Sequence, residues 1–404
     1  MKKIAYLSMP HLGGLFSFYL EMRPALAAID IDLRCVSPQP VAAGNMKLIE
    51  KYEGCEFLEG DQNRLLDFSL KLREYIEQEK YSGIIIVPGS FPAATLLPCL
   101  LPPEVISIGM IPHNGRSVYT ATKTISSHLD WIVAVNKLLW EDLVHDYGIS
   151  ENQVKTVFVG VDASTLGSGR KSEVSGSLHI VFTSRIDDMQ KNVFMLPDIL
   201  KDAERRGGHY RLDILCRGPD LLELQKRFAK TRLNADVRFI PSIKRMDMLR
   251  QIGDADVIIM MSRFEGCPHS LIEAMACCCV PVVSRLPGIF DTMMENGKEG
   301  WLCEIDRVDD FGQRLYELAW DVDMRRRMGH AARLRALRDF DVHKQAEIYS
   351  KLLDTARMGK RASLAPSEAD VLYHQLCRKT WRRAIPAPLK KMIRTFMAKR
   401  GKTI

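Results

Sequence analysis

The sequence predicts an α/β protein of two doubly wound, Rossmann-like domains followed by a basic tail. Three observations lead there. Short β-branched apolar runs alternate with helix-length segments through short loops, the order that produces parallel sheets covered by helices. The chain has 404 residues, more than the ~250–300 at which a single hydrophobic core stops growing. The alternation also restarts after a stretch at 163–177 rich in Ser, Gly and Lys, which reads as a linker or exposed loop.

In the first half, strands are expected over 3–8, 32–36, 83–87, 105–111, 131–135 and 154–159, and helices over 16–29, 65–80 and 137–147. Each strand run is short, apolar and bounded by polar, Gly or Pro residues, as a strand buried on both faces requires. Gly13 and Gly14 lie between the first strand and the first helix. A glycine pair there either lets backbone N–H groups approach a phosphate or simply makes a tight turn. His113 follows the strand ending at Ile111, beside Asn114 and Gly115. Open α/β sheets place ligands at the carboxyl ends of their strands, so this histidine is either a ligand contact or a structural side chain.

The second half repeats the pattern, with strands over 178–183, 212–215, 237–240, 255–261, 280–284 and 300–303. Helices are expected over 193–207, 246–252, 309–320, 323–337 and 340–358. Arg185 ends the first of these strands and Lys191 follows six residues later. Two fixed cations there neutralise a diphosphate leaving group without a metal, or else are ordinary solvated side chains.

The most informative stretch runs from Ser262 to Ser284, SRFEGCPHSLIEAMACCCVPVVS. Gly266 and Pro268 force a loop after the buried strand, and a helix from Ser270 is expected to end at Pro281. Between Cys267 and Ser284 the only formally charged side chain is Glu273, and a carboxylate in an apolar helix is costly to bury unless something satisfies it. Two readings stand. Either Glu265 and Glu273 accept hydrogen bonds from sugar hydroxyls beside a phosphate held at the helix start, or Glu265 caps the helix and Glu273 lies on the surface.

Composition narrows the class. Apolar residues make up 46% of the chain, ordinary for a globular protein. The ten cysteines are irregularly placed and no Cys-x-x-Cys pair occurs, which argues for a reducing compartment rather than a disulfide framework. Cys277, Cys278 and Cys279 are consecutive, so on a helix they point in different directions and suit packing better than a metal. Lys2, Lys3 and the apolar residues after them loosely imitate a secretion signal, but Pro10, His11, Gly13 and Gly14 interrupt the segment. No apolar run reaches the ~18 residues of a membrane-spanning helix.

The segment from Glu265 to Met275, with seven residues between Glu265 and Glu273, resembles the E-x7-E signature of the retaining glycosyltransferases of family 4. Pro281-Val282-Val283-Ser284 and Pro287-Gly288 continue the likeness, which covers residues 1–358. It implies a GT-B fold, two Rossmann-like domains facing across a cleft, and a nucleotide-sugar donor. The division is expected at 1–162 for the acceptor side, 163–340 for the donor side and 341–358 for a crossover helix, with 359–404 as the tail.

By resemblance, Arg185 and Lys191 hold the donor diphosphate, Glu265 contacts the sugar hydroxyls and Glu273 holds the ribose. His269, Ser270 and Leu271 lie on the donor at the helix start, Ile243 near the nucleobase, and His113 and the Gly13–Gly14 loop complete the cleft. Ser184 and Pro241 stand where relatives have Gly. The expected reaction keeps the anomeric configuration by front-face attack and needs neither cofactor nor metal. A sugar phosphorylase or sugar-phosphate synthase of the same fold, or a membrane-associated partner protein without turnover, are the alternatives.

The charge of +7 is uneven. Residues 360–404 carry twelve Lys/Arg against two Asp/Glu, leaving a net −3 for the rest of the chain. Within 378–400, Trp381, Ile385, Leu389, Met392, Ile393 and Phe396 recur at helical intervals among basic residues. That pattern suits an anionic membrane surface, a disordered tail, or a helix packed on the body. A cytoplasmic protein peripheral to the inner face of the cell membrane is expected, with a lipid-linked or oligosaccharide acceptor. No nucleic-acid-binding motif is present.

Overall fold

The computed structural model describes residues 1–10, 13–37, 53–58, 65–167, 171, 173–215, 217–241, 245–357 and 363–377. The chain divides into two compact units. One holds Met1–Gly160 together with the helix that begins at Val342, and the other holds Val161–Asp341.

In the first unit the described strands are β1 (Lys2–Leu7), β2 (Ile31–Ser37), β3 (Cys55–Phe57), β4 (Gly83–Ile86), β5 (Ile106–Ile111), β6 (Trp131–Ala134) and β7 (Val154–Thr156). They pair in parallel in the order β3-β2-β1-β4-β5-β6-β7. Order and direction are those of a doubly wound sheet, in which β1 is central and buried from Ile4 to Leu7. Helices α1 (Gly14–Ala27), α2 (Leu65–Gln78), α3 (Pro92–Leu96), α4 (Arg116–Ile125) and α5 (Lys137–Glu141) connect them.

The helix expected over 137–147 is α-helical only to Glu141. Asn136 caps its start by accepting from the Leu139 N–H at 2.9 Å, and Asp142–Asp146 continue as a π-helical turn.

The second unit contains β8 (Ser177–Phe182), α6 (Asp188–Lys191), α7 (Leu196–Arg206), β9 (His209–Leu215), α8 (Leu221–Lys230), β10 (Asp236–Ile240) and α9 (Arg245–Asp254). It continues with β11 (Val257–Met260), α10 (His269–Ala276), β12 (Val280–Ser284), α11 (Phe290–Met293), β13 (Trp301–Cys303), α12 (Val308–Trp320) and α13 (Val322–Asp339). Its parallel order is β10-β9-β8-β11-β12-β13. Phe182, Ile259, Val282, Phe311 and Leu315 meet in its core. Pro281 does not end α10 as expected. The helix stops at Ala276, Cys278 turns the chain in the left-handed region with φ 59°, and Pro281 lies inside β12 opposite Ile258.

The chain then returns to the first unit as α14 (Val342–Asp354), followed by α15 (Pro366–Cys377). α14 packs on α1, where the Phe18 and Tyr349 rings are 5.6 Å apart. The sequence suggests a helix over 340–358, but Phe340 belongs to the end of α13. At the other end Arg357 is drawn onto the sheet: its N–H donates to Asp130 Oδ1 at 3.0 Å, and its guanidinium to the Leu129 and Ser127 carbonyls.

Candidate active site

The site of the second unit grows from the carboxyl ends of β8 and β11. β11 is apolar and wholly buried, so the chain beyond it is delivered to a fixed point at the sheet's edge. There Glu265 is 5% exposed. Its Oε1 accepts from Lys191 Nζ at 2.5 Å and from Ser262 Oγ at 2.6 Å. A buried carboxylate costs several kcal/mol unless paired and hydrogen-bonded, and both conditions are met here. Glu265 does not cap α10, whose N-cap position is Pro268, with no side-chain hydrogen bond.

Lys191 reaches Glu265 because of how its own loop is built. The expected helix over 193–207 is instead a short turn, α6, a left-handed Asn192 with φ 52°, a 3₁₀ turn at Val193–Met195, and then α7. Arg263 secures this arrangement. Its backbone N–H donates to Gln190 O at 2.9 Å, and its guanidinium donates to Asp188 O at 2.7 Å and to Asn192 Oδ1. Asp306 ties the same group, 3.3 Å from Arg263 and 2.9 Å from Asn192 Nδ2. The loop that carries Lys191 and the loop that carries Glu265 are thus one hydrogen-bonded piece.

Glu273 is 1% exposed, which overturns its reading as a surface residue. Its partner is Arg245, at the start of α9, with 2.7 Å between Nη2 and Oε1. His269, the first residue of α10, is buried, and its Nε2 meets no hydrogen-bond partner among the described residues. Burial, and then the nearby Arg245 charge, push its pKa down to about 3, so the imidazole is neutral. Leu271 is buried and its N–H already donates to Pro268 O at 3.1 Å, while Ser270 stands partly exposed in the same turn.

Arg185 is not drawn into this cluster. It is exposed and pairs with Asp187 at 2.6 Å. The loop behind it is tightly seated: a Cβ on Gly218 would collide with the Ile186 backbone. Ile243 lies outside the described residues, as does the tail at 378–400.

Two predicted residues or loops belong to the first unit. Gly13 and Gly14 are exposed, and Gly13 is the N-cap of α1, its carbonyl accepting from the Phe16 and Ser17 N–H groups. His113 lies just beyond β5, and its Nδ1 accepts from the Gly115 N–H at 3.0 Å. Burial lowers its pKa. The neutral ring therefore carries its proton on Nε2, which makes His113 a hydrogen-bond donor at that atom. Gly115 makes this contact possible, because a Cβ there would sit 2.6 Å from His113 Cε1.

Sequence reasoning missed Ser262, Arg263, Asn192, Asp306 and Arg245. One signal pointed toward Arg245: the lone charge of Glu273 on an apolar helix demands a cation. Nothing in spacing says which one, since the partner lies on another helix.

Residues 169–335 match the family described as glycosyl transferases group 1. The chain carries a glycosyl transferases group 1 domain. The matched stretch contains the whole of the second unit's cluster, from Lys191 to Asp306, and Arg185 beside it.

Among relatives, a D-inositol 3-phosphate glycosyltransferase of Pseudarthrobacter chlorophenolicus is 26% identical over 205 residues, 48% of this chain and 49% of that one. A GDP-mannose:cellobiosyl-diphosphopolyprenol alpha-mannosyltransferase of Xanthomonas campestris is 25% identical over 184 residues, covering 44% and 47%. The chain thus spans about half the length of the curated relatives it matches.

Solved structures extend the likeness beyond the group 1 domain at the level of fold. S. aureus TarM, in a complex with fondaparinux, α-GlcNAc-glycerol and UDP, superposes with a TM-score of 0.72 at 12% identity, covering 88% of this chain and 100% of that one. Anabaena HepE, with UDP and glucose, gives 0.71 at 13% identity, with the same coverage. The fold is GT-B, two Rossmann-like α/β domains.

Proposed function

We propose that the chain is a retaining, metal-independent glycosyltransferase that moves a sugar from a nucleoside diphosphate, UDP or GDP, to an acceptor hydroxyl in polysaccharide or lipid-linked glycan synthesis. The observation that carries this reading is the cluster in which Lys191 and Glu265 pair beside the start of α10, with His269 neutral and Glu273 held by Arg245. It joins carboxylates that accept from sugar or ribose hydroxyls to cations and backbone N–H groups that suit a diphosphate.

In the reaction the bond from the anomeric carbon to the diphosphate oxygen breaks, and the acceptor oxygen bonds to that carbon from the same face. The acceptor proton passes to the departing phosphate oxygen. Arg185, Lys191 and the α10 N-terminus offset the negative charge that develops there. Glu265 orients the sugar through its hydroxyls and Glu273 the ribose. His113, as an Nε2–H donor, contacts the transferred sugar. Ile243 is assigned to the nucleobase, and the acceptor to a lipid-linked or oligosaccharide glycan.

Relatives support the donor class: UDP is bound in the TarM and HepE structures, and the Xanthomonas enzyme is a GDP-mannose-dependent mannosyltransferase. The test is thermal unfolding with UDP, GDP, ADP and dTDP on wild type and Arg185→Ala. Arg185 is exposed, so its removal leaves the fold intact. A nucleotide at 100 times its Kd stabilises by about 2.7 kcal/mol. A shift with UDP or GDP that disappears in the variant supports the reading, and no shift with any of the four overturns it.

A further inference from the structure

We propose that Cys35 and Cys55 form a reversible dithiol–disulfide pair, an oxidation site in the sheet of the first unit. The two residues are direct partners in the register of the parallel strands β2 and β3. Adjacent strands lie about 4.8 Å apart, inside the Cα window of ~4.4–6.8 Å that a disulfide spans. Both cysteines are free thiols. As register partners on neighbouring parallel strands, the two side chains leave the same face of the sheet side by side.

The two thiols differ in a way that assigns roles. Cys35 is fully buried, whereas Cys55 is partly exposed. The neighbouring Cys35 thiol, with Tyr19 and Arg23 beside it, holds the Cys55 pKa below the ordinary thiol range against the effect of burial. Gly54, with φ 73°, brings that corner close: a Cβ there would lie 2.7 Å from Arg23 Nε and from the Tyr19 hydroxyl. Cys55 is the attacking thiolate and Cys35 the resolving thiol. Burial instead pushes Cys99 and Cys277 up to about 12, and raises Cys279 and Cys303 as well.

With hydrogen peroxide as the oxidant, the Cys55 thiolate attacks one peroxide oxygen. The O–O bond breaks, leaving Cys55 sulfenic acid and a hydroxide that takes up a proton. The Cys35 sulfur then attacks the Cys55 sulfur, the S–S bond forms, the S–O bond breaks, and the Cys35 proton leaves in water. Two thiols and one peroxide thus become one disulfide and two waters, and a dithiol reductant reverses the change. Oxidation also removes the Cys35 donor from the Ser8 carbonyl, 3.4 Å away. Ser8 begins the loop that leads to Gly13.

The experiment treats the reduced full-length protein with one equivalent of hydrogen peroxide, blocks remaining thiols with iodoacetamide, and maps non-reduced peptides by mass spectrometry. The expected result is a peptide joined through Cys35 and Cys55, the loss of two of the ten cysteines from alkylation, and their recovery with dithiothreitol. In Cys35→Ser, dimedone should label Cys55 as the sulfenic acid, and in Cys55→Ser it should leave Cys35 unlabelled. Wild-type mapping decides the matter if either variant fails to fold. Peroxide consumed with both thiols still alkylated, or oxidation centred on Cys267 or Cys278, overturns the proposal.

Discussion

At the scale of single residues, Lys191 and Glu265 matter through one shared oxygen. Their ion pair is nearly buried, so neither partner is dispensable while the other remains. Lys191→Met is expected to cost about 3–5 kcal/mol by leaving the carboxylate uncompensated. Adding Glu265→Leu should recover much of that, a non-additivity that urea unfolding of the single and double variants measures. If stability is unchanged by Lys191→Met, the pair is not formed in solution.

His269 allows a second prediction. Its folded pKa of about 3 lies below the ~6.5 of a free imidazole. On acidification the unfolded chain therefore takes up a proton that the folded chain refuses. Its contribution is complete above about pH 6.5 and falls as pH drops toward 3, by ~1.4 kcal/mol per unit. Between pH 6.5 and 5, before most carboxylates titrate, wild type should lose about 2 kcal/mol more than His269→Gln. Parallel pH profiles for the two proteins would exclude it.

At the scale of elements, the geometry of Asn192 separates backbone from side-chain effects. Its left-handed φ favours Gly over Ala by about 1–2 kcal/mol, while both substitutions lose the same contacts to Arg263 and Asp306. Asn192→Ala should therefore unfold at lower urea than Asn192→Gly, by that difference. Gly115→Ala should shift His113, and its expected cost is about 1–3 kcal/mol from overpacking, read by the same unfolding.

Most strands were legible, because burial on both faces writes a continuous apolar run into them, whereas the short, only partly buried β3 was not expected. β12 was expected over 280–284 and lies at Val280–Ser284. Helix ends were less legible, since they depend on partners distant in sequence: Arg357 leaves its helix for Asp130, and Cys278 turns where the sequence suggested continuation to Pro281. α3, α4 and α8 were not expected from the sequence, although Pro92 opens α3 and Asp220 stands at the N-cap of α8. In the site, Glu265 and Lys191 stood out as charges in loops after strands, and Glu273 as the lone charge on an apolar helix. The residues that hold them did not, because Arg263 and Arg245 look like any surface cation until the fold packs around them.

At the scale of the whole molecule, the charge asymmetry makes its own prediction. With +10 concentrated in residues 360–404, sedimentation with vesicles containing anionic phospholipid should be strong at low salt. It should fall as salt rises, because juxtamembrane cations contribute about 1 kcal/mol each through a screened field. Replacing Lys390, Lys391 and Arg394 with Gln should release most of the protein. Equal binding to neutral vesicles would remove the membrane assignment.

The return of α14 to the first unit bears on how the protein is made. Tyr349 covers Phe18, yet residues 161–341 are synthesised between them. At ~5–20 residues per second, the ribosome needs roughly 10–40 s to cross that interval. Throughout it α1 lacks the cover that α14 provides. The first unit therefore completes its packing only after the second has been synthesised. A chaperone that shields α1 during that interval is the assistance its translation calls for.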